Sequence, residues 1–166
     1  MLALDELFDT YAAALYRFAA RLMGPGADAE DAVQNVLLSV LARNGFDPAR
    51  GSLRAYLFGA VRNQARKLRR VTNEELAEAM PSPQATPDRS YALEETRQAV
   101  AGALARLSWA QREVLLLSHY EELSLKEIAT ALDLELAAVK SRLHRAREAL
   151  RVQLQAYAPH QEGDPR

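Results

Sequence analysis

Apolar residues return at three- and four-residue steps along almost the whole chain, and this period restricts what the chain can build more than any other feature. Leu7, Phe8, Tyr11, Leu15, Phe18 and Leu22 mark one such stripe; Val33, Val36, Leu37, Val40 and Leu41 mark a second. A period near 3.6 residues turns these positions to one side of a helix. Strand-type alternation is missing, and Ile128 is the only isoleucine. The fold expected is all-α.

Local signals divide the helices. Gly24-Pro25-Gly26 ends a helix running from about Asp5 to Met23, and Asp28 is the expected N-cap of the next. Asn44-Gly45 stops that helix, and residues 46–52, with Pro48 and Gly51, read as a loop. A third helix is expected from Ser52 or Leu53 to Arg70, with Leu53, Tyr56, Leu57, Ala60, Val61 and Ala65 on its apolar side. From Val71 to Tyr91 the texture changes: Pro81, Pro83 and Pro87 sit among Ser, Gln and Thr, although Glu74–Met80 could form a short helix. Fully extended, ~20 residues reach at most about 65–70 Å, close to two turns of duplex DNA.

Beyond this tether, Ser108 with Gln111 and Ser124 with Glu127 are capping-box patterns. The helices implied are about 92–106, 109–120, 125–132 and 136–153. The 166 residues therefore divide into a helical domain 1–71, a linker 72–91, a second helical domain 92–157 and a tail 158–166.

The net charge of −1 hides a strong segregation. Residues 61–70 hold Arg62, Arg66, Lys67, Arg69 and Arg70 and no acid; residues 139–151 hold Lys140, Arg142, Arg145, Arg147 and Arg151 against Glu148 alone. Screening confines each exposed charge to about 8–10 Å, so two such clusters attract phosphate locally whatever the average. For the first cluster a rival reading is a helix C-terminus complementing its own dipole. For the second it is a solvated amphipathic face.

The second cluster belongs to the most informative segment, residues 125–147. A short helix, a break at Asp133 and a longer basic helix make the helix-turn-helix plan. Ile128, Leu132, Leu134, Val139 and Leu143 would form its core, leaving Lys140, His144, Arg147 and Arg151 as an exposed stripe able to enter a major groove. Near the first cluster, Phe46, Tyr56 and Phe58 are candidates to stack on unpaired bases. Tyr56 falls on the apolar stripe and is expected in the core, while Phe46 lies in the loop.

Signals for other functions are weak. The chain has no cysteine, which excludes disulfides and thiolate chemistry and suits a reducing compartment. His119, His144 and His160 lack metal-ligand spacing, and no glycine-rich phosphate loop occurs. Asp28, Glu30 and Asp31 are the ordinary acidic complement of a helix start. No apolar run nears the ~18 residues that span a bilayer, and acids near Met1 argue against a secretory signal. A cytoplasmic protein without catalytic residues, cofactor or metal is expected.

Taken together, the chain resembles the extracytoplasmic-function (ECF) sigma factors, initiation subunits of bacterial RNA polymerase. The likeness covers nearly all of residues 5–152. It rests on Asp28-Ala29-Glu30-Asp31-Ala32-Val33-Gln34, on Gly51-Ser52-Leu53-Arg54-Ala55-Tyr56-Leu57 with Val61-Arg62-Asn63, and on Leu107 through Arg151. The resemblance implies that Asp28, Asp31, Gln34 and Asn35 bind core polymerase. It implies that Phe46, Ser52, Tyr56, Arg62, Asn63, Arg66, Lys67, Arg69 and Arg70 open the promoter at its proximal element. Leu136, Ala137, Ala138, Lys140, Ser141, Arg142, His144, Arg145 and Arg147 would read the distal element. Promoter DNA, core RNA polymerase and an anti-sigma factor are the implied partners. Two alternatives stay open: a helix-turn-helix regulator that uses only the second domain, and a sigma mimic that titrates an anti-sigma factor, the latter motivated by the apolar start Leu136-Ala137-Ala138 where the family commonly has proline or polar residues, glycine and threonine.

Overall fold

The computed structural model describes residues 4–43, 45–75 and 91–156. Its order is α1 (Leu4–Met23), α2 (Ala27–Arg43), a 3-10 turn (Pro48–Arg50), α3 (Leu53–Glu75), α4 (Tyr91–Arg106), α5 (Trp109–Leu115), α6 (Leu125–Leu132) and α7 (Leu136–Gln155). One π-helical turn, Leu116–Tyr120, continues α5. No strand occurs among the described residues. The Glu74–Met80 helix and the tether fall mostly outside them.

In the first module α1, α2 and α3 pack on one another, with Leu15, Phe18, Leu22, Leu37, Leu57, Phe58 and Val61 fully buried or nearly so. Phe18 and Phe58 meet edge to face at 5.3 Å, the arrangement favoured by the ring quadrupoles. The second module packs α7 on α4, α5 and α6 around Leu116, Ile128, Val139 and Ala146. Both expected capping boxes form: the side chains of Ser108 and Ser124 accept from Gln111 N and Glu127 N, and Gln111 and Glu127 reach back to the cap N–H groups.

Two local expectations are corrected, and the expected break at Asp133 forms. The second helix begins at Ala27, with Glu30 N donating to Gly26 O, so Asp28 is a first-turn residue and not the N-cap. The third helix runs on to Glu75, which makes Arg62–Arg70 helix interior and removes the dipole-complement reading of those cations. The break between α6 and α7 has no glycine; Asp133 itself takes the left-handed conformation (φ 53°, ψ 54°), and Leu134 N donates to Ala129 O at 2.9 Å. Aspartate is enriched in that region relative to most side chains, and the bond back to Ala129 satisfies a terminal carbonyl.

The larger departure concerns the two modules. The sequence reads as two bodies on a tether; in the structure they pack together, and their buried residues form one apolar core. α3 lies against α6 so closely that a Cβ at Gly59 would fall 2.7 Å from Ala131 O. Only glycine allows that approach.

Candidate nucleic-acid interface

The first expected surface lies on α2. Asp28, Asp31, Gln34 and Asn35 are all exposed, because the apolar stripe Val33, Val36, Leu37 and Val40 turns the opposite side inward. Leu38, 58 % exposed, shares their side. The sequence reading passed over it, yet its signal is plain: it stands off the apolar stripe and three residues beyond Asn35, one turn on.

The second surface lies on the loop and α3. Phe46 is half-buried and its ring tilts against that of Tyr56 at 5.7 Å, so the two aromatics form one unit. Tyr56 packs on the core as expected, whereas Phe58 has no exposed surface and is withdrawn as a stacking residue. Asn63, Arg66, Lys67, Arg69 and Arg70 are exposed. Ser52 donates to Glu127 Oε1 (2.9 Å) while accepting from Ala55 N (3.1 Å), so one hydroxyl starts α3 and also ties it to α6.

The third surface is the outer side of α7. Leu136, Ala137, Lys140, Ser141, His144, Arg145 and Arg147 are exposed and Ala138 is half-buried; Val139, Leu143 and Ala146 anchor the inner side. The charged rod is therefore not enclosed by its own bundle.

Arg62 and Arg142 depart from the expected picture of free cations. Arg62 donates through Nε (2.7 Å) and Nη2 (3.0 Å) to the two oxygens of Glu113, and Arg142 Nη1 reaches Glu113 Oε1 at 3.2 Å. Trp109 Nε1 donates to the same carboxylate at 2.8 Å. Glu113 is 1 % exposed, a burial that a carboxylate tolerates only with full hydrogen bonding. The sequence reading assigned it no role. Its signal was an acid directly preceding the apolar run Val114–Leu117.

Two more arginines close the seam between modules. Arg112 donates to Leu104 O, Ala105 O and Leu107 O in the second module and to Leu22 O in the first. One guanidinium thus satisfies carbonyls at the ends of α4 and α1, which helix geometry leaves orphaned. Burial, and then the charge of Arg69, lower its pKa from the ordinary arginine value. Arg54 donates to the backbone oxygen of Glu121, a side chain 4 % exposed. Burial raises the Glu121 pKa above the usual carboxylate value, against the pull of Arg17, Arg21 and Arg54.

With this geometry in view, comparison with known proteins places the class first. Residues 7–74 match the family model for sigma-70 region 2, and residues 97–150 match that for sigma-70, region 4. The chain is 40% identical over 157 residues to the ECF RNA polymerase sigma factor SigL of Mycobacterium tuberculosis (strain ATCC 25618 / H37Rv), covering 90% of this chain and 87% of the relative. It is 34% identical to the RNA polymerase sigma-E factor of Streptomyces coelicolor, covering 94% and 88%. Among solved structures, the sigma factor RpoE in complex with the anti-sigma factor NepR from Bartonella quintana superposes with a TM-score of 0.70 at 26% identity, covering 91% of this chain and 96% of that one. CnrH in complex with the cytosolic domain of CnrY gives 0.68 at 30% identity, covering 92% and 88%. The chain belongs to the ECF RNA polymerase sigma factors.

Proposed function

We propose that the chain binds core RNA polymerase through the exposed side of α2 and directs it to promoters through α3 and α7. The observation that carries this reading is the pair of cationic helices, one on each module, in an otherwise acidic chain. Asp28, Asp31, Gln34 and Asn35 form the polymerase contact, with Leu38 as its apolar centre. The Phe46–Tyr56 pair and Asn63 receive an unstacked base of the proximal element, and Arg66, Lys67, Arg69 and Arg70 hold the backbone around it. Unstacking costs a few kcal/mol, which preformed aromatic and cationic contacts offset. Lys140, Ser141, His144, Arg145 and Arg147 enter the major groove of the distal element, with Leu136 and Ala137 limited to apolar contact such as thymine methyls.

DNA binding at two separated elements requires the modules to part. Arg62 and Arg142 share Glu113 in the closed form, so parting frees one cation for each DNA site. We read the closed form as the state an anti-sigma factor would hold. No described helix is long and apolar enough to cross a membrane, and we place the protein in the cytoplasm, acting without catalysis of its own.

Reconstitution with core polymerase and a library of promoter fragments tests the reading. Transcription from a subset of fragments only when both proteins are present is the expected result. Failure to co-elute with core polymerase would refute it. The apolar start of α7 supports a second reading, a mimic that titrates an anti-sigma factor; core binding with no transcription from any fragment would favour it.

A further inference from the structure

A cavity of about 380 Å³ opens at the seam, with walls from both modules. Arg62, Arg66, Arg69 and Arg70 of α3 line one side, facing Trp109 and Glu113 of α5 and Arg142 of α7. Five arginines and one glutamate thus line the same space. Glu113 is already shared between Arg62 and Arg142, and Arg69 lies over the Trp109 ring at 5.1 Å. Arg66 and Arg70 have no acidic partner among residues 5–70 and 93–156. The residues that line the cavity therefore carry a surplus of positive charge.

Guanidinium groups pair with phosphate oxygens through parallel N–H bonds, and several of them together favour an anion of higher charge than sulfate. The volume lies within the ~300–1,000 Å³ of small-molecule sites, while the wall is cationic where an apolar ligand would need hydrocarbon. A duplex backbone spreads its charges along an extended rod, whereas a short polyphosphate packs several into a space of this size. We propose that the cavity binds a small polyphosphate, free or carried on a nucleoside, and that the bound anion holds the two modules closed. The second half follows from placement. The ligand touches α3 on one module and α5 and α7 on the other, so it favours the only arrangement in which all three are adjacent. This proposal does not depend on which DNA element each module reads.

Trp109 is the only tryptophan in the chain, and it forms part of the cavity wall, so its fluorescence reports occupancy without a label. The full chain is titrated at constant ionic strength with inorganic tripolyphosphate, with ATP and GTP, and with sulfate as the compact-anion control. A saturable change is expected with the polyphosphates at concentrations at least about tenfold below any effect of sulfate, a difference of ~1.4 kcal/mol. Arg66→Ala with Arg70→Ala, both exposed positions, should weaken binding about tenfold or more. Arg142→Ala should weaken it as well, since the second module contributes to the wall. Tighter binding of the nucleotides than of tripolyphosphate assigns the base to the Trp109 side; equal binding assigns recognition to the phosphates alone. Either result supports the site. A tripolyphosphate response no stronger than that of sulfate would overturn it, and so would affinity unchanged in the Arg66/Arg70 variant or in Arg142→Ala.

Discussion

Arg62 grips Glu113 with both ends of its guanidinium, at 2.7 and 3.0 Å, although the two residues belong to different modules. Because Arg142 joins the same carboxylate, Glu113 links the helix assigned to promoter opening with the helix assigned to distal recognition. An arginine that the proposed function assigns to DNA is thereby occupied on each module.

Glu113→Gln keeps the shape of the side chain and removes its charge, leaving Arg62 and Arg142 without an anion. Breaking a buried ion pair from one side costs about 3–5 kcal/mol, and the more exposed Arg142 places the expected loss near the lower end. The unfolding midpoint in urea should fall, and the variant should scatter as a more extended particle. A variant as compact and as stable as the parent chain would show that Glu113 does not hold the modules together.

Gly59→Ala tests the seam without touching charge. The added methyl would meet Ala131 O at 2.7 Å and Ala131 Cα at 3.1 Å, and both are backbone atoms that cannot swing aside. Overpacking of this kind costs about 1–3 kcal/mol. Hydrogen exchange should accelerate in α3 and α6 together. Acceleration in neither helix would show that Gly59 is not needed for α3 and α6 to pack.

Two further glutamates at the seam respond to acid in opposite senses. Glu127 is held below the usual carboxylate pKa, mainly by the Ser124 N–H and further by Ser52 and Arg54. Its contribution is present above the unfolded pKa and is lost as pH falls through the lower folded value. Glu121 is raised by burial, so its protonated form favours the fold; that contribution is full below the unfolded pKa and fades as pH climbs through the higher folded value. Glu127→Gln should therefore destabilise at neutral pH and flatten the acid limb of the stability profile, whereas Glu121→Gln should not destabilise at neutral pH. Parallel profiles for both variants and the parent chain would remove these two groups from the pH dependence.

Salt dependence measures the phosphate contacts of α7. Replacing Arg142 and Arg145 by alanine should lower the slope of log K against log salt by roughly one to two, at ~0.9 per phosphate. The measurement uses a duplex carrying the distal element, bound by the chain together with core polymerase. An unchanged slope would take both arginines off the phosphate-contact roll.

Replacing Arg66 and Lys67 by alanine should slow promoter opening more than initial docking, because both stand exposed on α3, the helix that carries Tyr56. Permanganate reactivity of unpaired thymines reports opening, and gel-shift affinity reports docking. Equal loss in the two assays would assign these cations to positioning of the duplex alone.

Most of the helices were legible residue by residue. The apolar stripes of α1 and α2 gave their inner sides, Ser108 and Ser124 gave the starts of α5 and α6, and Asp133 marked the turn before α7. These features are local: periodicity, capping and breaker residues act within one or two turns, and a sequence displays them directly. The exposed stripe Lys140, His144, Arg147 was legible for the same reason, since burial of Val139, Leu143 and Ala146 fixes what is left outside. The end of α3 was misplaced because Val71 and Thr72 are weak helix formers next to a proline-rich segment.

The meeting of Arg62, Glu113 and Arg142 is of another kind. Fifty-one residues separate the first two and 29 the last two, and no spacing rule relates positions on separate helices of separate modules. Which arginine is free for phosphate and which is held by a buried carboxylate depends on how α3 crosses α5 and α7. α3 also packs on α6, where a Cβ at Gly59 would meet the backbone of Ala131. Sequence alone determined two cationic helical modules of this family, because helix periodicity and charge are local properties. Only the tertiary structure decided that the modules close on each other through one shared carboxylate, because that pairing exists nowhere until distant surfaces are brought into contact.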